Sequence, residues 1–235
     1  MKIPKKSLKL TRELLYGVEM AMDDHGFEME WYLDLEKEET TFISDLYDDG
    51  EETEALREQI ENDTDEKRFI PIPAKPLHEE WEQMEAFILG LDDQDEKTRN
   101  LLLTTIQGNG AFRRFKDAIH SIGVAQCWFD HKGRQDRREA LEWLLSLDFI
   151  TAEDVEKGMQ LYEETLAKRK QRQEDMVNMK AGRQVRCSDD HGHADKLTIG
   201  KVYDILSEQE EHRNIRVKDD RGKTVWMPKS HFELI

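Results

Sequence analysis

The chain has 235 residues, of which 37% are hydrophobic and 37% charged, and its formal net charge at pH 7 is −17. This length is enough for one or two domains with apolar cores. Arg12, Glu13 and Glu19 interrupt the apolar residues near the amino terminus, which argues against a signal peptide or a membrane span. Cys127 and Cys187 are the only cysteines, so a disulfide framework is not expected, and we predict a cytoplasmic protein.

The acidic charge is concentrated in the first half of the chain. Residues 1–100 carry 12 basic and 29 acidic side chains, whereas residues 101–235 carry 23 of each. Such acidity disfavours broad contact with nucleic-acid phosphates and favours a basic partner or simple solubility. We therefore expect a protein partner rather than a nucleic acid or a membrane.

The first part of the chain predicts a helix, a hairpin and an edge strand, in that order. Thr11 is placed to cap the first helix. Alternating apolar residues predict a strand at 30–35 that returns at 40–44, and the acidic run at 45–54 predicts a loop leading into a short helix. Two prolines confine the next strand, 68–73, to the edge of its sheet because proline has no N–H to donate.

Apolar periodicity predicts four more helices before residue 150. One begins at Pro76, and the second covers 95–107. The third begins just before Phe112, and the fourth covers 136–148 after a separate segment at 124–131. These helices supply most of the predicted first domain.

The least generic stretch is a glycine-rich corner between the second and third of these helices. Gly108 and Gly110 interrupt one helix, and the next begins at once with aromatic and basic residues interleaved. At about 100° per residue, Phe112, Phe115 and Ile119 lie on one stripe, which predicts that all three face the core.

The basic residues of the same helix allow two interpretations. Together with the N–H groups at the helix start, the arginines would form a site for a phosphate or a carboxylate. Alternatively, Arg113 and Arg114 pair with acids such as Asp117 at helical spacing, and the glycines only form a corner between helices. The sequence predicts these residues as contacts for a partner or an anion: Gly108, Gly110, Arg113, Arg114, Lys116 and His120.

The run Gly-Ala-Phe-Arg-Arg-Phe-Lys at 110–116 resembles the signature of an uncharacterised bacterial family known only by a UPF placeholder name. The resemblance extends over roughly 11–148 and includes Tyr32-Leu33-Asp34. It implies membership but no activity. The chain departs from the pattern at Lys37-Glu38, where members usually have a Thr-Gly turn, and at Asn109, where a basic residue is usual.

A different pattern begins after residue 150. Thr151 offers a capping box with Asp154 at the start of a helical connector, 151–182. Five short apolar runs separated by turns then predict a small β-barrel at 183–235. The run Leu-Thr-Ile-Gly-Lys-Val-Tyr at 197–203 resembles SH3-like barrels of bacterial proteins.

One loop in this region concentrates metal-type ligands. Cys187, His191 and His193 would supply three ligands to zinc. A structural zinc site takes four ligands, however, and a second cysteine pair is missing. We therefore predict no metal and no other cofactor, and interpret the stretch as a polar loop between strands.

These observations predict an α+β fold. A helical N-terminal domain, 10–150, surrounds a small antiparallel sheet, and a separate SH3-like β-barrel follows the connector. The expected function is non-catalytic binding or regulation through the arginine-bearing helix, the barrel or both. The alternative is an enzyme acting on a phosphorylated or nucleic-acid substrate held near the glycine corner by Arg113 and Arg114. A cleft that joins those arginines to buried carboxylates would favour the enzyme, and a flat exposed helix the binding protein.

Overall fold

The structure, a computed structural model, divides the chain into two compact units, 1–162 and 163–235. The residues that it describes are 7–25, 29–44, 50–64, 67–91 and 96–235. Of the loop predicted from the acidic run at 45–54, residues 45–49 lie outside the described residues, and 51–54 are helical instead. The helix expected to follow that loop is present.

The described residues of the first unit form a mixed α+β fold, as predicted. A three-stranded antiparallel sheet lies among helices, and the last helix continues into the second unit. The helices are α1 (Arg12–Asp23), α2 (Glu51–Asn62), α3 (Leu77–Leu89), α4 (Glu96–Thr105), α5 (Ala111–Ser121), α6 (Ala125–Ser146) and α7 (Ala152–Asn178). The strands are β1 (Met29–Asp34), β2 (Glu39–Ser44) and β3 (Phe69–Pro71). No helix in the described ranges has both the length and the apolar character needed to cross a bilayer.

The predicted hairpin and edge strand are both confirmed. β1 pairs antiparallel with β2, with Leu33 opposite Thr40, and β3 pairs with the other side of β1. β3 is thus an edge strand, as its prolines require. The predicted caps are confirmed as well: the Thr11 hydroxyl accepts from the N–H of Leu14 at 3.1 Å, and Thr151 and Asp154 form a capping box.

The β1–β2 turn holds Glu38 in a backbone conformation that is unfavourable for any residue with a side chain. Glu38 has φ = 56°, in the left-handed region where a side chain is strained. Glu38 is the second residue of the Lys37-Glu38 pair at which the sequence departs from the resemblance.

We expect Glu38→Gly to raise the free energy of unfolding by about 0.5–1 kcal/mol, since glycine adopts positive φ without strain. Urea titration measures it. Lys37→Gly is the matched control: Lys37 is not among the residues with positive φ, so glycine there should lower stability. Equal effects at the two positions would contradict the interpretation.

Two apolar clusters form the core of the first unit. One joins α1, the sheet and the carboxyl-terminal half of α6 around Val18, Leu33 and Leu141. The other joins α3, α4, α5 and the start of α6 around Phe115 and Trp128. The second cluster supports the predicted contact helix.

The prediction of separate segments at 124–131 and 136–148 was wrong, because α6 is one helix of 22 residues. Its middle is polar but supported locally, since Lys132 donates to Asp136 one turn later, with Nζ and Oδ2 2.7 Å apart. Gly133 lies in this middle section, where an added Cβ would stand 2.1 Å from the hydroxyl oxygen of Tyr162. The glycine therefore permits a close contact within the unit that the apolar pattern did not reveal.

The second unit contains six short strands rather than the five predicted. They are β4 (Gln184–Cys187), β5 (Val202–Asp204), β6 (Ser207–Gln209), β7 (Asn214–Lys218), β8 (Thr224–Pro228) and β9 (Phe232–Leu234). They form two antiparallel sheets in the orders β5-β4-β9 and β6-β7-β8 around one apolar core. The ladders of the described strands do not close, so the predicted barrel is corrected to a pair of three-stranded sheets.

The carboxyl-terminal end of α7 packs within this second unit. Met179, placed in the predicted connector, is buried in the same core as Val185 and Ile215. The Lys229 ammonium donates to the main-chain carbonyl of Met176 at 2.8 Å and so satisfies one of the last carbonyls of the helix. The part of the predicted helical connector after residue 162 therefore belongs to the second unit.

Candidate functional site

The predicted contact helix is α5. It begins after Gly110, whose φ of 77° is the left-handed conformation expected of a glycine at this corner. Gly108 has φ = 67° in the same turn. Phe115 and Ile119 are buried as predicted, but Phe112 is 43% exposed, so its assignment to the core was wrong.

Arg114 stabilises the glycine corner from within. Its guanidinium donates to the carbonyls of Thr105 and Asn109, at 3.2 and 2.5 Å, and to the carbonyl of Gln107. These carbonyls follow the end of α4, where main-chain acceptors lack helical partners. Arg114 is therefore a structural residue, and the proposed pairing with Asp117 is replaced by these main-chain bonds.

Arg113 and Lys116 differ from Arg114. Both are exposed, and within the described residues neither makes a hydrogen bond or an ion pair. His120, at the last turn of α5, is exposed and lies against the ring of Phe129, with ring centroids 6.0 Å apart. Three of the predicted contact residues thus keep side chains available to a ligand.

Arg113 and Lys116 line a cleft of about 690 Å³ within the first unit. This volume lies in the range of small-molecule and peptide side-chain sites. The lining comes from the end of α1, from α3, from α5 and from α6: Asp23, Glu80, Gln83, Met84, Phe112, Arg113, Phe115, Lys116, Trp128, Phe129, Lys132, Gly133 and Asp136.

One wall of the cleft is aromatic. Phe112 and Phe129 are 43% and 42% exposed at its surface. Phe115 and Trp128 lie beneath, packed edge to face with ring centroids 4.9 Å apart. The exposed rings thus line the same cleft as a buried aromatic pair, and such pairs are worth about 0.5–1.5 kcal/mol beyond the area they bury.

The other wall carries a chain of ion pairs. Asp136 accepts from Lys75 at 2.9 Å and from Lys132 at 2.7 Å. Lys75 also contacts Glu139 at 2.6 Å, and Lys132 contacts Asp23 at 2.5 Å. Each of the three carboxylates thus has a lysine partner.

The two lysines of these ion pairs, Lys75 and Lys132, stay charged. Burial on its own lowers the pKa of Lys75, but hydrogen bonds to Asp136 and Glu139 outweigh it and raise the pKa above its usual value. For Lys132, burial is likewise outweighed by Asp136 and Asp23, which raise its pKa. The wall therefore holds two lysines and three carboxylates that pair with one another, whereas Arg113 and Lys116 bring charge that the described residues leave without a partner.

Sequence reasoning missed this wall. The spacing of Lys132 and Asp136, one helical turn apart, was a visible signal for one pair. Lys75 lies between two prolines, where no periodicity applies, and its side chain is only 4% exposed. Its partners are about sixty residues away in the chain, so no local pattern could have identified them.

The weak metal candidates of the second unit are not brought together. Cys187 is buried, its Sγ lies 3.5 Å from the carbonyl oxygen of Asp189, and burial raises the pKa of the thiol. His193 packs instead against His231, with ring centroids 5.3 Å apart. Among the described residues, ligand atoms converge elsewhere: those of Asp23, His25 and Glu80 lie within 4.8 Å of one another.

Comparison with known protein families gives a match. The model of an uncharacterised protein family (UPF0158) matches residues 8–166, which include the cleft and the helices and strands of the first unit. The match supports the resemblance found in the sequence and ends before the strands of the second unit. Neither a curated protein nor a solved structure matches the chain.

Proposed function

Because the chain belongs to the uncharacterised protein family UPF0158, whose description names no activity, we propose its function from the cleft itself. It is a non-catalytic binding protein that contacts a protein partner through α5. The supporting observation is that Arg113 and Lys116, both without a hydrogen bond or an ion pair in the described chain, stand beside exposed Phe112 and Phe129.

Charge and apolar surface together define the partner's chemistry. An arginine beside aromatic rings is the combination that contributes most to protein interfaces. The cleft carboxylates of Asp23 and Asp136 already have lysine partners, and Glu80 contacts His25. Arg113 and Lys116 are therefore the lining charges that the described residues leave for a ligand. The matching surface is an acidic segment with an apolar side chain that packs between the two phenylalanines.

The second unit offers a further contact surface in this proposal. Trp226 is 44% exposed on β8, opposite Arg216 on β7. The Arg216 guanidinium lies 5.9 Å from the centre of the indole ring. We retain an SH3-like role for this unit, supported by short antiparallel strands around a shared core, and a cytoplasmic partner for the whole chain.

Site-specific photo-cross-linking in the native host tests the proposal. With p-benzoylphenylalanine at position 112 of the full chain, we expect one predominant protein adduct. Arg113→Glu with Lys116→Glu should reduce it at least about tenfold, because two attractive contacts become repulsive. The matched control is Arg12→Glu with Lys97→Glu, two exposed residues that do not line the cleft. An adduct that persists in the cleft variant, or that equals one formed from exposed position 16, overturns the proposal.

The enzyme alternative has one specific observation in its favour. Arg113 and the carboxylates of Asp23, Glu80 and Asp136 line the same cleft, but these carboxylates are exposed or half-buried rather than buried, as the enzyme would require. If the purified chain hydrolyses p-nitrophenyl phosphate above background, and Asp136→Asn and Arg113→Ala both abolish turnover, the enzyme replaces the binding protein. Absence of such turnover, together with the cross-link, supports binding.

A further inference from the structure

A group of three ligand-type side chains lies at the edge of the cleft. Asp23 is the last residue of α1, His25 follows two residues later, and Glu80 is in the first turn of α3. Their candidate ligand atoms all lie within 4.8 Å of one another. Asp23 and Glu80 also line the cleft.

The contact between His25 and Glu80 is not an ordinary hydrogen bond. Nε2 of His25 lies 2.9 Å from Oε1 of Glu80, and the two side chains are 27% and 13% exposed. Nε2 is nevertheless a buried atom without a hydrogen-bond partner, so the approach lacks the alignment of a donated N–H. An imidazole nitrogen and a carboxylate oxygen are both metal ligands, and these two atoms lie within 4.8 Å of a carboxylate oxygen of Asp23.

We propose that Asp23, His25 and Glu80 bind a divalent transition-metal ion at this edge of the cleft. One imidazole nitrogen with two carboxylate oxygens suits zinc, cobalt or manganese better than magnesium or calcium, which prefer oxygen ligands alone. With bonds of about 2.0–2.1 Å, tetrahedral ligand atoms stand roughly 3.3 Å apart. Small side-chain movements from the present separations achieve this.

The surroundings fit such an ion. Lys132 holds Oδ1 of Asp23 at 2.5 Å, which leaves Oδ2 for the metal and fixes the carboxylate, as outer-shell partners do. Three protein ligands leave a fourth position open, as in catalytic zinc sites. Since two of the ligands line the cleft, a bound ion adds positive charge to the surface that carries Arg113.

Metal titration of the full chain tests the site. After removal of metal with a chelator, we expect one equivalent of Zn²⁺ to bind by calorimetry and Co²⁺ to give a visible d–d spectrum. His25→Ala and Glu80→Gln should each weaken binding at least about 100-fold, more than the loss of an outer-shell partner does. His78→Ala and Glu82→Gln are matched controls on exposed positions of α3 outside the group, and should bind as the unmodified chain does.

Two results would overturn the proposal. One is unchanged binding in His25→Ala and Glu80→Gln. The other is a Co²⁺ spectrum with an intense thiolate band that Cys187→Ala removes, which would assign the metal to the second unit. His25→Gln, with metal-free melting curves of every variant, separates a lost ligand from a lost fold. Cross-linking at position 112 is run with chelator present. Loss of the partner adduct then counts against the binding proposal alone, and loss of metal binding in the titration counts against the metal site alone.

Discussion

Asp34→Ala is expected to lower the free energy of unfolding by about 3 kcal/mol. The Asp34 side chain is 2% exposed, and its two oxygens accept from Nε and Nη2 of Arg68 at 3.1 and 2.8 Å. Oδ1 also accepts from the N–H groups of Glu36 and Lys37 at 2.8 and 3.2 Å. Removing one member of a buried pair costs about 3–5 kcal/mol. The lower end applies because the Arg68 side chain is 30% exposed.

Glu36 provides the matched control for this prediction. Its carboxylate contacts the same guanidinium at 2.6 Å, but its side chain is 68% exposed. Glu36→Ala should therefore cost no more than about 1 kcal/mol. Urea titrations measure the free energy of unfolding of both variants. Equal losses in that free energy would show that Asp34 is an ordinary surface partner of Arg68.

The same carboxylate makes stability depend on acid. Burial alone raises the pKa of Asp34, but the hydrogen bonds from Arg68 and from the two turn N–H groups outweigh it and lower the pKa below the usual 3.8. A carboxyl with a lowered folded pKa stabilises the fold above the unfolded value and loses that contribution as pH falls through the folded one. Asp34→Asn should therefore show a shallower loss of stability below about pH 4 than the unmodified chain.

The sequence predicted elements that depend on local signals. The capping threonines, the hairpin and the proline-bearing edge strand were all predicted correctly, because each depends on residues close together in the chain. Asp34 belonged to the quoted Tyr-Leu-Asp run, but its partner is 34 residues away. The bond between them could not be inferred from periodicity.

The candidate site was predicted less well, for a related reason. Helical period assigned Phe112 to the core stripe and grouped Arg114 with Arg113. The position of α4 decides otherwise, since main-chain carbonyls at and just after its end accept hydrogen bonds from the exposed Arg114 side chain. A helical wheel assigns residues to faces, but packing of the neighbouring helices determines which part of the apolar stripe is covered. Residues at the first turn, such as Phe112, are the most sensitive to this.

Phe115→Ala and Phe112→Ala should separate the two roles within one helix. Phe115 is 2% exposed and packs against Trp128 and Phe87, so its truncation should cost about 3–5 kcal/mol. Phe112 is 43% exposed, and its loss should change the free energy of unfolding by no more than about 0.5 kcal/mol. Urea titrations followed by tryptophan fluorescence measure both.

Binding should rank the two residues in the opposite order to their effect on stability. Phe112→Ala should fold normally. It should nevertheless lose the partner that is cross-linked through a second cleft position, Phe129, because an exposed aromatic ring is a typical interface anchor.

Arg114→Ala should differ from both phenylalanine variants. It leaves corner carbonyls without their donor and costs about 1 kcal/mol, while Arg113 and Lys116, which have no ion-pair partner among the described residues, stay in place to bind the partner. If Phe112→Ala instead unfolds the chain as Phe115→Ala does, the ring is structural and α5 presents no aromatic contact. If it neither destabilises the fold nor reduces the cross-link, the partner approaches another surface, and the face around Trp226 becomes the position to test.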